Sequence, residues 1–383
     1  MVSIRGNALL GSDLTFTEDM TIEIDDEGVI ISIAKEKKTA DYLLPSSYVI
    51  VPGFINAHIH LGDAFLKDQT YGSSLEEAVG PNGIKHSKLS TSGIEEKIGS
   101  IRNSLEMLIQ NGFTSFADFR EEGIRGIDLL RNELKQYPIR GIILGRQTEK
   151  NTFDEVSKNC DGLGIRDVFD INQEGYTTLS KLKTNNPSML VGIHVSESEE
   201  VIAESISKFG KRDISIITEN DVFDFVVHAN YSKDEELKLL SQRDIDVVCC
   251  PISSLYFGLK FPPLELIQKY DILFSLGTDN VLSCNPDPFR LMAFTLYNAR
   301  ANCQNISPKE VLKSITVNAG LILKQKIGQL KIGYSGDLLA IDLESYNLKF
   351  SKDVYTAITL RADQSDICFQ MYKGKVIKWK DQK

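Results

Sequence analysis

Residues 51–62 read VPGFINAHIHLG, a run suited to burial in which one isoleucine separates two imidazoles, His58 and His60. On a strand, side chains two apart share a face, so this pair projects together. A buried imidazole costs free energy unless it is partnered, and a metal ion is one such partner. Whether the run is a strand, and what surrounds the pair, depends on the rest of the chain.

Seven further apolar segments follow at intervals: FTSFADF, IRGIILG, DGLGIRDV, SMLVGIHV, FDFVVHA, DVVCCPI and ILFSLGTD. Helical patterns separate most of them. The clearest is GIEEKIGSIRNSLEMLIQNG, with Ile94, Ile98, Ile101, Leu105 and Leu108 at steps of four and three and Gly112 as its stop. Ser92 with Glu95, Ser232 with Glu235 and Ser307 with Glu310 carry capping-box spacing, and Pro308 fits a first helical position. Short apolar strands alternating with amphipathic helices predict an α/β fold with a parallel sheet, and eight units predict a closed (β/α)8 TIM-type barrel over residues 51–329.

Both ends of the chain differ from this middle. Alternation in Thr21–Ile24 with a turn at Asp26-Glu27-Gly28, and ICFQMYKGKVIKW around Lys373-Gly374, predict strands and hairpins. Residues 1–50 plus 330–383 are therefore expected to form one small β-sandwich domain built from both termini. The polar stretch from Lys67 to Gly93 is too long for an ordinary connection, which suggests a lid or a surface excursion. His86 within it reads as a solvated residue.

The 383 residues are 42% hydrophobic and 25% charged, a globular composition. Neither a twenty-residue apolar span nor a secretory leader is evident, and six cysteines without framework spacing suit a reduced, cytoplasmic protein. Net charge −10 without a basic cluster argues against nucleic acid or an anionic membrane as partner.

Four of the five histidines, His58, His60, His194 and His228, fall at C-terminal ends of predicted strands, as does Asp279. Active sites of such barrels form where these ends converge. Each position alone has a bland explanation, a satisfied core histidine or a helix-capping aspartate. Together they point to a metal centre. Three histidines plus a carboxylate suit zinc or another divalent transition metal, with iron and manganese among the alternatives.

At these residues the chain resembles the amidohydrolase superfamily. VPGFINAHIH is similar to that family's first-strand motif, GYSGDLLAIDL to its return to the small sheet domain, and YKGKVIK to its closing hairpin. NAHIHLGDAFLKD, CCPISSLYFGL and SLGTDNV resemble the cytosine deaminase and triazine chlorohydrolase branch, archaeal chlorohydrolase-like members especially. The resemblance implies that His58, His60, His194 and Asp279 bind the metal, that Glu197 shuttles protons, and that His228 polarises substrate and orients water. No lysine ends the fourth strand, where binuclear relatives place a bridging one, so a single divalent ion is expected. Ile252 and Ser254 depart from the usual residues after Cys250-Pro251, which would alter specificity if they meet substrate.

The implied activity is hydrolytic deamination of a small nitrogen heterocycle or nucleoside-like compound by hydroxide generated on the metal. Coordination lowers the pKa of water from about 15.7 to roughly 7. That corresponds to on the order of 12 kcal/mol, beyond an unaided side chain. The alternatives are a triazine-type chlorohydrolase or cyclic amidohydrolase, and an inactive scaffold of the superfamily. Tyr71, Tyr256 and Phe257 are candidates to stack on a flat small-molecule substrate. A homodimer accords with common practice among relatives.

Overall fold

The computed structural model describes residues 1–35 and 39–380. Positions 36–38 and the last three of the expected 330–383 segment lie outside the described residues. All eight predicted strands form: Phe54–His60, Phe113–Arg120, Arg140–Gly145, Gly162–Ile165, Leu190–Val195, Phe225–His228, Asp246–Cys249, and a last one in two pieces, Phe274–Leu276 and Asp279–Asn280. Every neighbouring pair is parallel. The two pieces of the last strand lie at opposite ends of the hydrogen-bonded path, Phe274–Leu276 on the seventh strand and Asp279–Asn280 on the first. Only Gly277 and Thr278 separate them, so the sheet curls round on itself.

Helices such as Ile94–Gln110, Gly123–Leu134 and Pro288–Ala301 cover the outside. The stripe on Ile94–Gln110 is shifted from the predicted one. Ile94 is exposed, whereas Ile101, Leu105 and Leu108 are buried with Ser100 and Ser104. Both serine hydroxyls donate to the Leu61 carbonyl at 3.2 Å, so small polar residues seat the helix against the end of the first strand. The Ser92–Glu95 cap does not form, because Ser92 ends the preceding helix and donates to the Lys88 carbonyl. The cap expected at Ser232–Glu235 sits one residue later, where the Glu236 carboxylate accepts the Lys233 N–H. Ser307 caps as predicted, accepting the Glu310 N–H, with Pro308 in the first turn.

The run VIVPGFINAHI is not one strand. Tyr48–Pro52 belongs to a second, mixed sheet of eight strands drawn from both ends of the chain, running parallel to Val2–Leu10 and antiparallel to Leu338–Asp342. Gly53 makes the break, since a Cβ there would lie 2.2 Å from Thr114 Oγ1. The hairpin Ile367–Tyr372 and Lys375–Trp379 turns at Gly374 (φ +72°), and Gly28 (φ +81°) turns the N-terminal one. This sheet carries its own core, including Ile4, Ile22, Ile50, Leu338 and Phe369. No helix among the described residues is long and apolar enough to cross a membrane.

Candidate metal centre and active site

The first barrel strand is bulged where it matters. Asn56 pairs with Phe116 and Ile59 with Asp118, so three steps on one strand match two on the other. An extra residue of this kind re-aims the side chains beyond it. Ile55 and Ala57 pack in the inner cluster with Phe119, Leu144 and Phe225, whereas Ile59 packs in the outer one. The switch of face leaves His58 and His60 beside those inner residues, over the ring of Phe119, whose centroid is 4.5 Å from that of His58 and 5.1 Å from that of His194. Gly277 permits the approach of the last strand, because a Cβ there would stand 2.7 Å from the His58 Cβ.

The predicted residues converge. His58 Nε2 is 3.2 Å from His194 Nε2 and 3.4 Å from Asp279 Oδ1, and His60 Nε2 is 3.5 Å from the same oxygen. Donors about 2.0–2.1 Å from a tetrahedral zinc stand roughly 3.3–3.4 Å apart, so these separations are those of a coordination shell's edges. Tautomers point the same way. His60 Nδ1 lies 3.1 Å from the Phe119 carbonyl and 2.9 Å from Glu121 Oε1, and His194 Nδ1 lies 3.1 Å from the Ile165 carbonyl. Those partners only accept, so each Nδ1 carries the proton and each Nε2 turns a lone pair inward. Lone pairs facing lone pairs and a carboxylate call for a cation between them. The donor set therefore fits one divalent metal ion.

The electrostatics agree. Burial pushes His60 down to about 3 and His194 well below the usual imidazole range, so both stay neutral as ligands must. Against its own burial, Asp279 is held well below the carboxylate range by the His58 hydrogen bond and the neighbouring imidazoles. Its Oδ2 accepts the Ser253 hydroxyl at 2.6 Å and its Oδ1 the Asn280 amide at 2.8 Å. Asp279 and His228 take positive φ angles of 63° and 75°, strain of a kind that collects at functional positions.

Glu197 and His228 complete the set. Glu197 Oε1 lies 3.4 Å from His228 Nε2, and together with Asp279 they form a second group of mutually close ligand atoms. Burial raises the Glu197 carboxyl above its ordinary value, while the nearby His228 opposes the shift.

These residues face a cavity of about 690 Å³, counting its open mouth, of a size suited to a small organic ligand. The 67–93 segment forms one wall of it. Its helices Leu75–Val79 and Ile84–Thr91 contribute Glu76, Val79, Lys85 and His86 to the lining. His86 is thus not a solvated surface residue, and burial lowers it to about 4, with the Lys85 charge adding to the effect. Ile252 and Ser254 are absent from this lining. Ile252 packs against the outer core, and Ser254 Oγ bonds the Asn230 amide at 3.0 Å. Tyr71, Tyr256 and Phe257 likewise stand off the cavity. Tyr71 is exposed, in edge contact with Tyr256, which in turn contacts Phe257.

Sequence reasoning missed a buried ionic cluster beside the histidines. Lys85, 3% exposed, places Nζ 2.6 Å from Glu121 Oε1 and 3.4 Å from Asp63 Oδ2, and Arg120 lies 3.5 Å from Asp118. Burial pushes Asp63 up to about 7 and Asp118 up to about 6. Against burial, Lys85 and His60 hold Glu121 well below its usual range. The available signal was FADFREE, acidic and basic residues together at the end of an apolar strand.

Known proteins share this arrangement of strands and chain length. The sequence profile of the Amidohydrolase family matches residues 49–378. An uncharacterised protein of Methanocaldococcus jannaschii is 29% identical over 373 residues, covering 94% of this chain and 96% of its own. The 5-methylthioadenosine/S-adenosylhomocysteine deaminase of Pyrococcus furiosus is 26% identical over 409 residues, covering 98% and 94%. Among solved structures, a zinc-bound adenosine deaminase from Xanthomonas campestris superposes with a TM-score of 0.87 at 18% identity, over 98% of this chain and 92% of that one. That likeness carries the fold, and the profile carries the lineage: the chain belongs to the amidohydrolase family.

Proposed function

We propose that the protein is a metal-dependent hydrolase that deaminates a small nitrogen heterocycle or nucleoside-like compound. The observation that carries this reading is Glu197, a carboxyl that burial raises above its ordinary value, standing 3.4 Å from His228 at the edge of four converged ligand groups. His58, His60, His194 and Asp279 would hold a single ion, zinc, with iron or manganese as substitutes. Such an ion supplies Lewis acidity that makes water a nucleophile at neutral pH.

The side chains do the rest. Water adds to the ring carbon that bears the amine, and Asp279, an anion braced by Ser253, accepts the water's proton. Glu197 gives its proton to the adjacent ring nitrogen as the ring's π bond is lost. His228 Nε2 supports the incoming oxygen. The C–N bond then breaks as the carbonyl forms: the hydroxyl's proton passes by way of Glu197 to the amine, which leaves as ammonia, and the proton held by Asp279 restores Glu197. The 67–93 wall excludes bulk water from these transfers.

The same reading takes residues 51–329 as the catalytic barrel and residues 1–50 with 330–383 as a companion β-sandwich, supported by that sheet's separate core. Six free cysteines support the cytoplasm as compartment, and net charge −10 supports a small molecule rather than nucleic acid as partner.

The test is an ammonia-release screen of metal-replete protein against aminopurines, aminopyrimidines, pterins, nucleosides and aminotriazines, with Asp279→Asn as control. Release by the wild type and none by the variant is expected. Release unchanged in Asp279→Asn would discredit the mechanism.

A further inference from the structure

Lys85 is held in a way that neither the fold nor the proposed chemistry requires. It sits at the second position of Ile84–Thr91, in the wall segment rather than on a barrel strand. Its ammonium reaches two groups that each touch a ligand of the metal centre. On one side Nζ is 2.6 Å from Glu121 Oε1, the oxygen that stands 2.9 Å from His60 Nδ1. On the other it donates to Asn280 Oδ1 at 2.6 Å, and the Asn280 amide donates at 2.8 Å to Asp279 Oδ1. Asp63 Oδ2, 3.4 Å away, gives it a third neighbour.

The ammonium thus hydrogen-bonds Asn280 and stands within ion-pair range of Glu121 and Asp63. Removing Lys85 would take the nearest cation from buried Glu121 and Asp63 and free the Asn280 amide to turn. Partners of ligating groups fix ring orientation and carboxylate geometry, and their loss typically weakens metal binding about 10- to 100-fold.

We propose that Lys85 is a positioning residue that couples closure of the 67–93 wall to the geometry of the metal centre. With the wall in place, Lys85 clamps Glu121 against His60 and Asn280 against Asp279, and the centre holds its ion tightly. With the wall lifted, both ligands lose their orientation. Coupling of this sort is reciprocal, so the metal must favour the closed wall by the factor with which the wall favours the metal. This inference rests on the metal-site reading above but not on the identity of the substrate.

Two measurements on Co(II)-loaded and metal-free protein test it. Hydrogen exchange of the wild type should show the Ile84–Thr91 amides protected about 10- to 100-fold more with Co(II) than without. Chelator competition should show Lys85→Met binding Co(II) weaker by a similar factor, with an altered visible spectrum and with exchange in that helix no longer responding to metal. A merely structural lysine would loosen the helix equally in both forms. Metal-independent exchange in the wild type would overturn the coupling without any variant. Wild-type protein that takes up no Co(II) would overturn the metal site itself, a distinguishable result.

Discussion

The two rims of the barrel treat buried charge in opposite ways. At the N-terminal rim the carboxylates Asp224 and Asp337 are answered directly. Asp224 accepts from Lys183 Nζ at 2.8 Å and from the Val191 N–H at 2.7 Å, with Lys324 adding a second cation. Asp337 takes Arg140 at 2.7 Å and the Lys373 N–H at 2.8 Å. At the C-terminal rim, ligand atoms converge on one another: His58 Nε2 stands 3.2 Å from His194 Nε2, and Asp279 Oδ1 lies within 3.5 Å of both His58 and His60. Polarity is common to both rims. What separates a working site from a structural one is a mismatch that only a guest can resolve.

The largest effect should come from the C-terminal rim. Glu197→Gln preserves shape but cannot deliver a proton, so kcat/KM for ammonia release should fall about 10²- to 10⁴-fold. Metal content should stay at one ion per chain. The raised carboxyl also fixes a sign. Because burial lifts its pKa, the protonated form persists to higher pH, and the wild-type rate should decline as pH rises through that value. The variant should lack that limb. Full turnover in Glu197→Gln would point to a group that departs without a proton, such as chloride. Loss of metal would instead put Glu197 in the ligand set and blur the contrast between proton donor and ligand.

Much of this site was legible because its signals are local. The first, fifth, sixth and eighth apolar runs each end near a histidine or aspartate of the site, and strand ends place such residues at one rim whatever the loops do. The eight strands followed for the same reason. What stayed hidden depends on distant contacts. Nothing in PNGIKHSKL separates Lys85 from any solvated lysine, because its partners Glu121 and Asn280 lie 36 and 195 positions away. The bulge that turns His58 inward is a property of a strand pair, not of one strand. Ser92 and Glu95 had the right spacing for a cap, yet the preceding helix took Ser92 for its own end. Spacing alone does not decide which of two neighbouring helices claims a residue.

The N-terminal rim should break differently. Asp224→Ala strands Lys183 and the Val191 N–H, and losing one partner of a largely buried pair costs roughly 3 kcal/mol. The urea or thermal midpoint should drop accordingly. Metal affinity and kcat should not change, since the pair sits at the far end of the strands. A loss of activity in folded Asp224→Ala would erase the division of labour between the rims.

The smallest effect tests Asp246, a carboxylate of that rim that burial leaves poorly compensated. Burial pushes Asp246 up to about 7, with Asp244 and Asp224 reinforcing the shift and a backbone hydrogen bond at Leu273 opposing it. Its folded-state pKa lies above the unfolded value, so the folded protein holds the extra proton between about pH 4 and 7. Stability from this group is therefore greatest at low pH and declines as pH rises through that window. Asp246→Asn removes the titration. It should be more stable than the wild type at pH 8 by about 1 kcal/mol, partial exposure of the side chain reducing what a full shift would give. The advantage should shrink toward pH 4, where the wild-type carboxyl is neutral as well. An advantage that is flat with pH would mean that Asp246 is ionised in both states, and that Lys324 serves it as fully as it serves Asp224.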